Sequence, residues 1–73
     1  MQVLVYVGDR IKQLRDARAL TQEEVAEKAG ITVAALSRIE RNAAEPRPTT
    51  RRKLARALGV EPEDLVKPEV DDV

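Results

Sequence analysis

The sequence contains no cysteine, no histidine, no tryptophan and no phenylalanine. Without thiols or imidazoles there can be no disulfide and no Cys/His metal site, and the commonest general base is missing too. Ser37 is the single serine, and a hydroxyl nucleophile without histidine needs a lysine or carboxylate arranged to activate it. No cluster in the sequence offers that. The adjacent Glu23 and Glu24, the nearest thing to an acid pair, point about 100° apart on a helix. The expectation is a chain that is not an enzyme and takes neither metal nor cofactor.

Aromatic residues are reduced to Tyr6, so the core must be built from Leu, Ile, Val and Ala. That composition suits short, closely packed helices better than a sandwich or barrel, and the expected fold class is all-α. Apolar runs are short: none approaches the ~18 residues of a membrane span. The N-terminus has neither a basic n-region nor a small-residue cleavage site. Both predict a soluble, cytoplasmic protein without a membrane partner. With 73 residues there is room for one domain that buries only about 60% of its unfolded surface, so support from a partner chain is expected.

Formal net charge is zero, but the charges are segregated. Residues 1–60 carry twelve Lys and Arg against seven Asp and Glu, whereas residues 61–73 carry one Lys against six acids. A basic body with an acidic tail points to polyanion binding by the body.

What is present centres on Leu20 to Arg41, LTQEEVAEKAGITVAALSRIER. Thr21 followed three residues later by Glu24 has capping-box spacing and starts one helix. Val25, Ala26 and Ala29 fall on one face, and Gly30 stands where a left-handed residue turns the chain. Thr32 caps a second helix. Its Leu36 and Ile39 point inward, while Val33, Ala34, Ser37, Arg38 and Arg41 are left outside. Two short helices with a Gly in the turn form a DNA-reading motif in many proteins.

Before this pair, QVLVYV alternates Val3, Val5 and Val7 with Leu4 and Tyr6, a local preference for a strand. Three readings stay open: a strand pairing two chains, an extended arm (residues 1–6) packed on the domain itself, or the first turn of helix 1. From Gly8 the pattern is helical, with Ile11, Leu14 and Ala17 on one face, and helix 1 is expected over Val7–Arg18. After Arg41 the two prolines of NAAEPRPTT stop the second helix of the motif, and Asn42 suits a left-handed C-cap. Thr49 or Thr50 is expected to cap helix 4, with Leu54, Ala55 and Leu58 inward and Gly59 as its end. Pro62 opens a short helix 5 closed by Leu65 and Val66. Residues 7–66 thus form one domain, and residues 67–73 read as a disordered acidic tail.

The run GDRIKQLRDARALTQEEVAEKAGITVAALSRIERN, followed by EPRPTTRRKLARALGVEPEDL, resembles the lambda-repressor-like helix-turn-helix domains of the Cro and XRE family. The resemblance implies a compact five-helix DNA-binding domain with a short N-terminal arm, its recognition helix Val33–Arg41 lying in the major groove of double-stranded DNA. It implies that Thr21 and Gln22, at the start of helix 2, meet phosphate, Gln22 also bracing the recognition helix. It implies further that Arg15 pairs with Glu40. Thr32, Val33, Ala34, Ser37 and Arg38 become the base-reading set. Val33 and Ala34 stand where relatives often place glutamine or serine, and their chemistry limits them to contacts such as thymine methyl groups. Arg38 either takes guanine O6 and N7 together or contacts a phosphate. Arg41, Arg47, Arg51 and Arg52 are the expected phosphate contacts.

The function implied is a sequence-specific transcriptional regulator, a repressor acting as a homodimer. The dimer contact would come from the arm or from helix 5. A second reading is a protein-interaction module of the same fold, an antitoxin or adaptor, favoured by the apolar Val33 and Ala34, the arm and the acidic tail.

Overall fold

In the computed structural model, residues 6–66 are described. The expected N-terminal arm up to Val5 and the acidic tail from Lys67 fall outside them. Among the described residues there are four α-helices and one 3-10 helix: α1 (Val7–Ala17), α2 (Gln22–Ala29), α3 (Val33–Glu40), α4 (Pro48–Leu58) and the 3-10 helix Pro62–Leu65. The all-α class holds, but the expected fifth α-helix does not form among the described residues. The segment between Pro62 and Val66 is too short for successive i→i−4 bonds. Its amides instead bond three residues back, Asp64 to Glu61 at 2.9 Å and Val66 to Glu63 at 3.2 Å, the tighter winding used for short connectors.

Each α-helix is ended by the same backbone device. The residue after the last turn is left-handed, and the amides of that residue and the next bond back to the helix carbonyls, closing the end without side-chain help. Gly30 (φ 72°) and Gly59 (φ 74°) take this position after α2 and α4, Ala19 (φ 55°) and Asn42 (φ 61°) after α1 and α3. At α1 the bonds run from Leu20 N to Arg15 O at 3.1 Å and from Ala19 N to Asp16 O at 3.0 Å. Ala19 adopts this conformation at a cost that glycine avoids.

Helix starts are more varied. Thr21 and Glu24 complete the capping box, with Glu24 N to Thr21 Oγ1 at 3.0 Å and Thr21 N to Glu24 Oε1 at 2.8 Å. These bonds, the backbone one first, hold the Glu24 carboxyl below the usual range. Thr32 Oγ1 accepts from Ala35 N at 3.0 Å. Neither Thr49 nor Thr50 caps α4; Arg47 is the N-cap residue and Pro48 takes the first helical position. Proline wins there because its φ is already helical and its missing amide is one that a first turn leaves unbonded.

The core gathers Ile11 and Leu14 from α1, Val25, Ala26 and Ala29 from α2, Leu36 and Ile39 from α3, Leu54, Ala55 and Leu58 from α4, and Leu65. The helices α2 and α4 pack on each other, and the small residues Ala26, Ala29 and Ala55 that they bring to the core suit a close approach. One inward expectation changes. Ala17 is exposed, because α1 ends there and the left-handed turn returns Leu20 to pack against the core. Val66 is 47% exposed while Leu65 is fully buried, so helix 5 offers Leu65 to this domain's own core. Tyr6 is extended at the N-cap of α1 and 63% exposed.

Candidate nucleic-acid interface

The turn between α2 and α3 is held from both sides. Gly30 N bonds Glu27 O at 3.2 Å and Ile31 N bonds Ala26 O at 3.0 Å, and the Thr32 cap then starts α3 at once. Leu36 and Ile39 anchor α3 in the core, leaving Thr32, Val33, Ala34 and Arg38 exposed and Ser37 half-buried. Val33 is 38% exposed, a branched apolar side chain beside the exposed Ala34.

The far end of α3 is fixed by charge. Glu40 is buried, its side chain 3% exposed, and it faces Arg15 of α1, whose side chain is 13% exposed. Arg15 Nε donates to Glu40 Oε2 at 2.7 Å and Nη2 donates to Oε1 at 3.1 Å, a side-on bidentate pair. Gln22 Nε2 donates to the same Oε1 at 3.0 Å, and Arg15 Nη1 donates to Leu20 O at 2.9 Å. The hydrogen bond to Glu40 dominates the upward shift of the Arg15 pKa. Three helices thus meet at one carboxylate. No buried side-chain polar atom lacks a partner among the described residues.

A second junction lies at the C-terminal end of α3, one that sequence reasoning missed. Asn42 Oδ1 accepts from Gly8 N at 3.1 Å, and Asn42 Nδ2 donates to Asp9 Oδ1 at 3.0 Å. Gly8 and Asp9 belong to the first turn of α1, which has no side-chain cap of its own. A Cβ on Gly8 would overlap the Ile39 carbonyl oxygen and crowd the Asn42 carboxamide. The signal in the sequence was the Gly-Asp pair opening α1, recognisable only once a partner is known.

The arginines divide into two kinds. Arg15 is consumed internally and Arg10 Nε donates to Asp64 O at 3.0 Å. The side chains of Arg38, Arg47, Arg51 and Arg52, in contrast, form no hydrogen bond or ion pair with the described residues, and the Arg41 side chain folds back only weakly on Ser37 O at 3.4 Å. Arg38 and Arg47 line one shallow groove between α3 and the following loop, together with Ala35, Glu45, Pro46 and Thr50, two cations against one acid. Arg52 is elsewhere, in a depression between α2 and α4 shared with Lys28, Lys53 and Arg56. Arg51 is half-buried in the first turn of α4. Thr21 and Gln22 stand at the start of α2, Thr21 with its hydroxyl used in the cap and Gln22 with one amide hydrogen on Glu40. Among the described residues there is no His/Cys/Asp/Glu group that could hold a metal ion, and no helix is long and apolar enough to cross a membrane.

Two helices joined by a three-residue turn, the second exposed along one face and flanked by unpaired cations, define a helix-turn-helix domain. A helix-turn-helix family profile matches residues 11–65, and the chain belongs to this family of DNA-binding transcriptional regulators, in its lambda-repressor-like Cro and XRE branch. It is 40% identical over 68 residues to an uncharacterised HTH-type transcriptional regulator of Sinorhizobium fredii, covering 93% of this chain and 88% of that one. It is 42% identical over 60 residues to the immunity repressor of Bacillus phage phi105, covering 82% of this chain but only 42% of the repressor. Among solved structures it is similar to the biofilm master regulator SinR in complex with DNA (TM-score 0.77, 38% identity, 81% of this chain and 95% of that one). SinR is also known in a complex with the SinI protein.

Proposed function

We propose that this chain is a transcriptional repressor that binds double-stranded DNA as a homodimer, α3 of each copy lying in the major groove of one half-site. The observation that carries this reading is the exposed face of α3 bordered by arginines without internal partners, Arg38 and Arg47 sharing one groove. Unpaired guanidinium groups beside a protruding helix supply the phosphate attraction on which most DNA affinity rests. The SinR–DNA complex and the phage immunity repressor support the same assignment.

Within it, Arg38 and Ser37 are the hydrogen-bonding readers, Val33 and Ala34 contact thymine methyl groups, and Thr32 meets a methyl or a phosphate. Gln22 spans Glu40 and a phosphate, with Thr21 beside it. Arg41, Arg47 and Arg51 track the backbone, and Arg52 serves the outer flank. The Arg15–Glu40 pair sets the orientation of α3. No catalytic step, metal or cofactor is part of the reading, and the chain acts in the cytoplasm where its DNA lies. A regulatory protein partner, as SinI is found with SinR, is the second element. The antitoxin or adaptor reading gains no such support.

Selection of bound sites from random DNA tests the reading. The expected product is a two-fold symmetric site with half-sites about one turn, ~34 Å, apart. Three to five phosphate contacts per chain would give a slope of log K on log salt of about −0.9 for each. Arg38→Ala is expected to cost about 1–3 kcal/mol at one base pair and to leave other positions unchanged. If Arg38 holds only a phosphate, the same change weakens all sequences alike. Recovery of no preferred sequence at low salt would sink the proposal.

A further inference from the structure

The recognition helix is tied to the rest of the domain near its C-terminal end twice, by Glu40 and by Asn42, and the two ties differ in kind. Glu40 lies inside the protein, and its loss disturbs the fold as a whole. Asn42 lies at the surface, beyond the last helical residue, in a left-handed conformation (φ 61°) whose backbone amide bonds Ile39 O at 3.0 Å. Its side chain is spent on α1. The carboxamide oxygen takes the Gly8 amide at 3.1 Å, one of the first-turn amides that a helix leaves unbonded, and its nitrogen takes the Asp9 carboxylate at 3.0 Å. One residue thereby closes the end of α3 and caps the start of α1 from outside that helix. Gly8 makes this possible, because any larger residue would push α1 away from the Ile39 carbonyl.

We propose that Asn42 is a positioning residue for DNA recognition: the Gly8–Asn42–Asp9 junction fixes the height and tilt of α3 relative to α1, and so where Ser37 and Arg38 meet the base edges. This role rests on α3 being the reading helix. Phosphate contacts tolerate a small tilt because long arginine side chains follow the backbone, whereas hydrogen bonds to base edges demand fixed geometry. Loss of the junction therefore weakens specific binding more than non-specific binding. A residue that served only stability would weaken both together.

The substitutions Asn42→Gly, Asn42→Asp and the exchange Asp9→Asn with Asn42→Asp separate these roles. Glycine keeps the left-handed turn and removes only the carboxamide. Asn42→Asp retains an acceptor for the Gly8 amide but sets two carboxylates face to face. The exchange keeps the Gly8 amide donating to residue 42, rebuilds the side-chain bond between positions 9 and 42 with donor and acceptor reversed, and leaves the net charge as in the wild type. Each protein is measured for cooperative melting, for affinity to the selected site and for affinity to a scrambled duplex. Asn42→Gly is expected to lower the specific-to-non-specific ratio about tenfold, with scrambled binding within about twofold of wild type. Asn42→Asp should lose at least as much, and the exchange should return the ratio to within about threefold. A cooperatively melting Asn42→Gly protein with the wild-type ratio overturns the role, as does an exchange no better than Asn42→Asp. Should Asn42→Gly fail to melt cooperatively, the comparison of Asn42→Asp with the exchange decides alone. A wild type that selects no site removes the DNA reading and this role with it. One that selects a site and is matched by the variants removes only the role of Asn42.

Discussion

Replacing Arg15 by methionine strands a buried carboxylate. Glu40, its side chain 3% exposed, accepts three hydrogen bonds, and Arg15 supplies two of them together with the only ion pair it makes among the described residues. An exposed ion pair would cost about 0–1 kcal/mol to break, whereas removing one partner of a buried pair costs about 3–5 kcal/mol because the remaining charge stays out of water. A chain of this size has about 4–11 kcal/mol of stability in all. Arg15→Met therefore removes a large share of it and lowers the melting temperature by about 15–30 °C. Arg15→Met with Glu40→Leu removes both charges and fills the space with apolar atoms, so most of the loss is recovered. Gln22, half-buried, turns its freed amide to water at little cost. Urea unfolding of the wild type, the two single variants and the double variant gives the coupling directly. A loss below about 1 kcal/mol for Arg15→Met, or a double variant no more stable than Arg15→Met, would refute the picture of a buried and mutually dependent pair.

Ala19→Gly is expected to stabilise the chain by about 1 kcal/mol, seen as a higher melting temperature, because it relieves a left-handed alanine. Gly8→Ala should do the opposite: the helix propensity of alanine is worth about 1 kcal/mol, but overlap with the Ile39 carbonyl costs more, leaving a net loss of about 1–3 kcal/mol in urea melts. The Glu24 carboxyl has a folded-state pKa below its unfolded value of 4.5. Its contribution is therefore complete above that value and is lost as pH falls through the lower, folded one. The gap in melting temperature between wild type and Glu24→Gln should shrink on acidification from neutrality to about pH 3, and a gap independent of pH would contradict the capping box.

The central pair of helices was legible because its signals are local. Thr21 with Glu24, Gly30, and Thr32 each act within a few residues, and their bonds form where the spacing puts them. Leu36, Ile39, Leu54 and Leu58 declared their burial by helical spacing. The errors share a different origin. Ala17 lies in register with Ile11 and Leu14, yet the helix ends under it, and its end is set by a left-handed alanine that no propensity scale would choose. The 3-10 helix differs from the expected α-helix because four residues opened by proline leave no room for successive i→i−4 bonds. Thr49 and Thr50 are good caps displaced by a better first-turn residue one position earlier. The Gly8–Asn42–Asp9 junction joins residues 33 and 34 positions apart, a distance at which a sequence pattern carries no geometric information.

The same distinction between local and long-range separates the two kinds of arginine. On sequence alone, Arg10, Arg15, Arg18, Arg38, Arg41, Arg47, Arg51, Arg52 and Arg56 are nine similar cations scattered over the chain. Packing gives Arg10 a backbone carbonyl, which orients it without cancelling its charge, and gives Arg15 the Glu40 carboxylate, so that Arg15 contributes little field outside the protein. Arg18 reaches only the Leu14 carbonyl of its own helix, at 3.4 Å. The remaining cations gather at Arg38 and Arg47, beside Glu45, and in the depression where Lys28, Arg52, Lys53 and Arg56 outnumber Glu27. The positive potential of the basic body is therefore set by which arginines the fold has neutralised as much as by how many there are. By that logic, charge-reversing Arg47 should lower DNA affinity and flatten its salt dependence, whereas the cost of changing Arg15 falls first on folding.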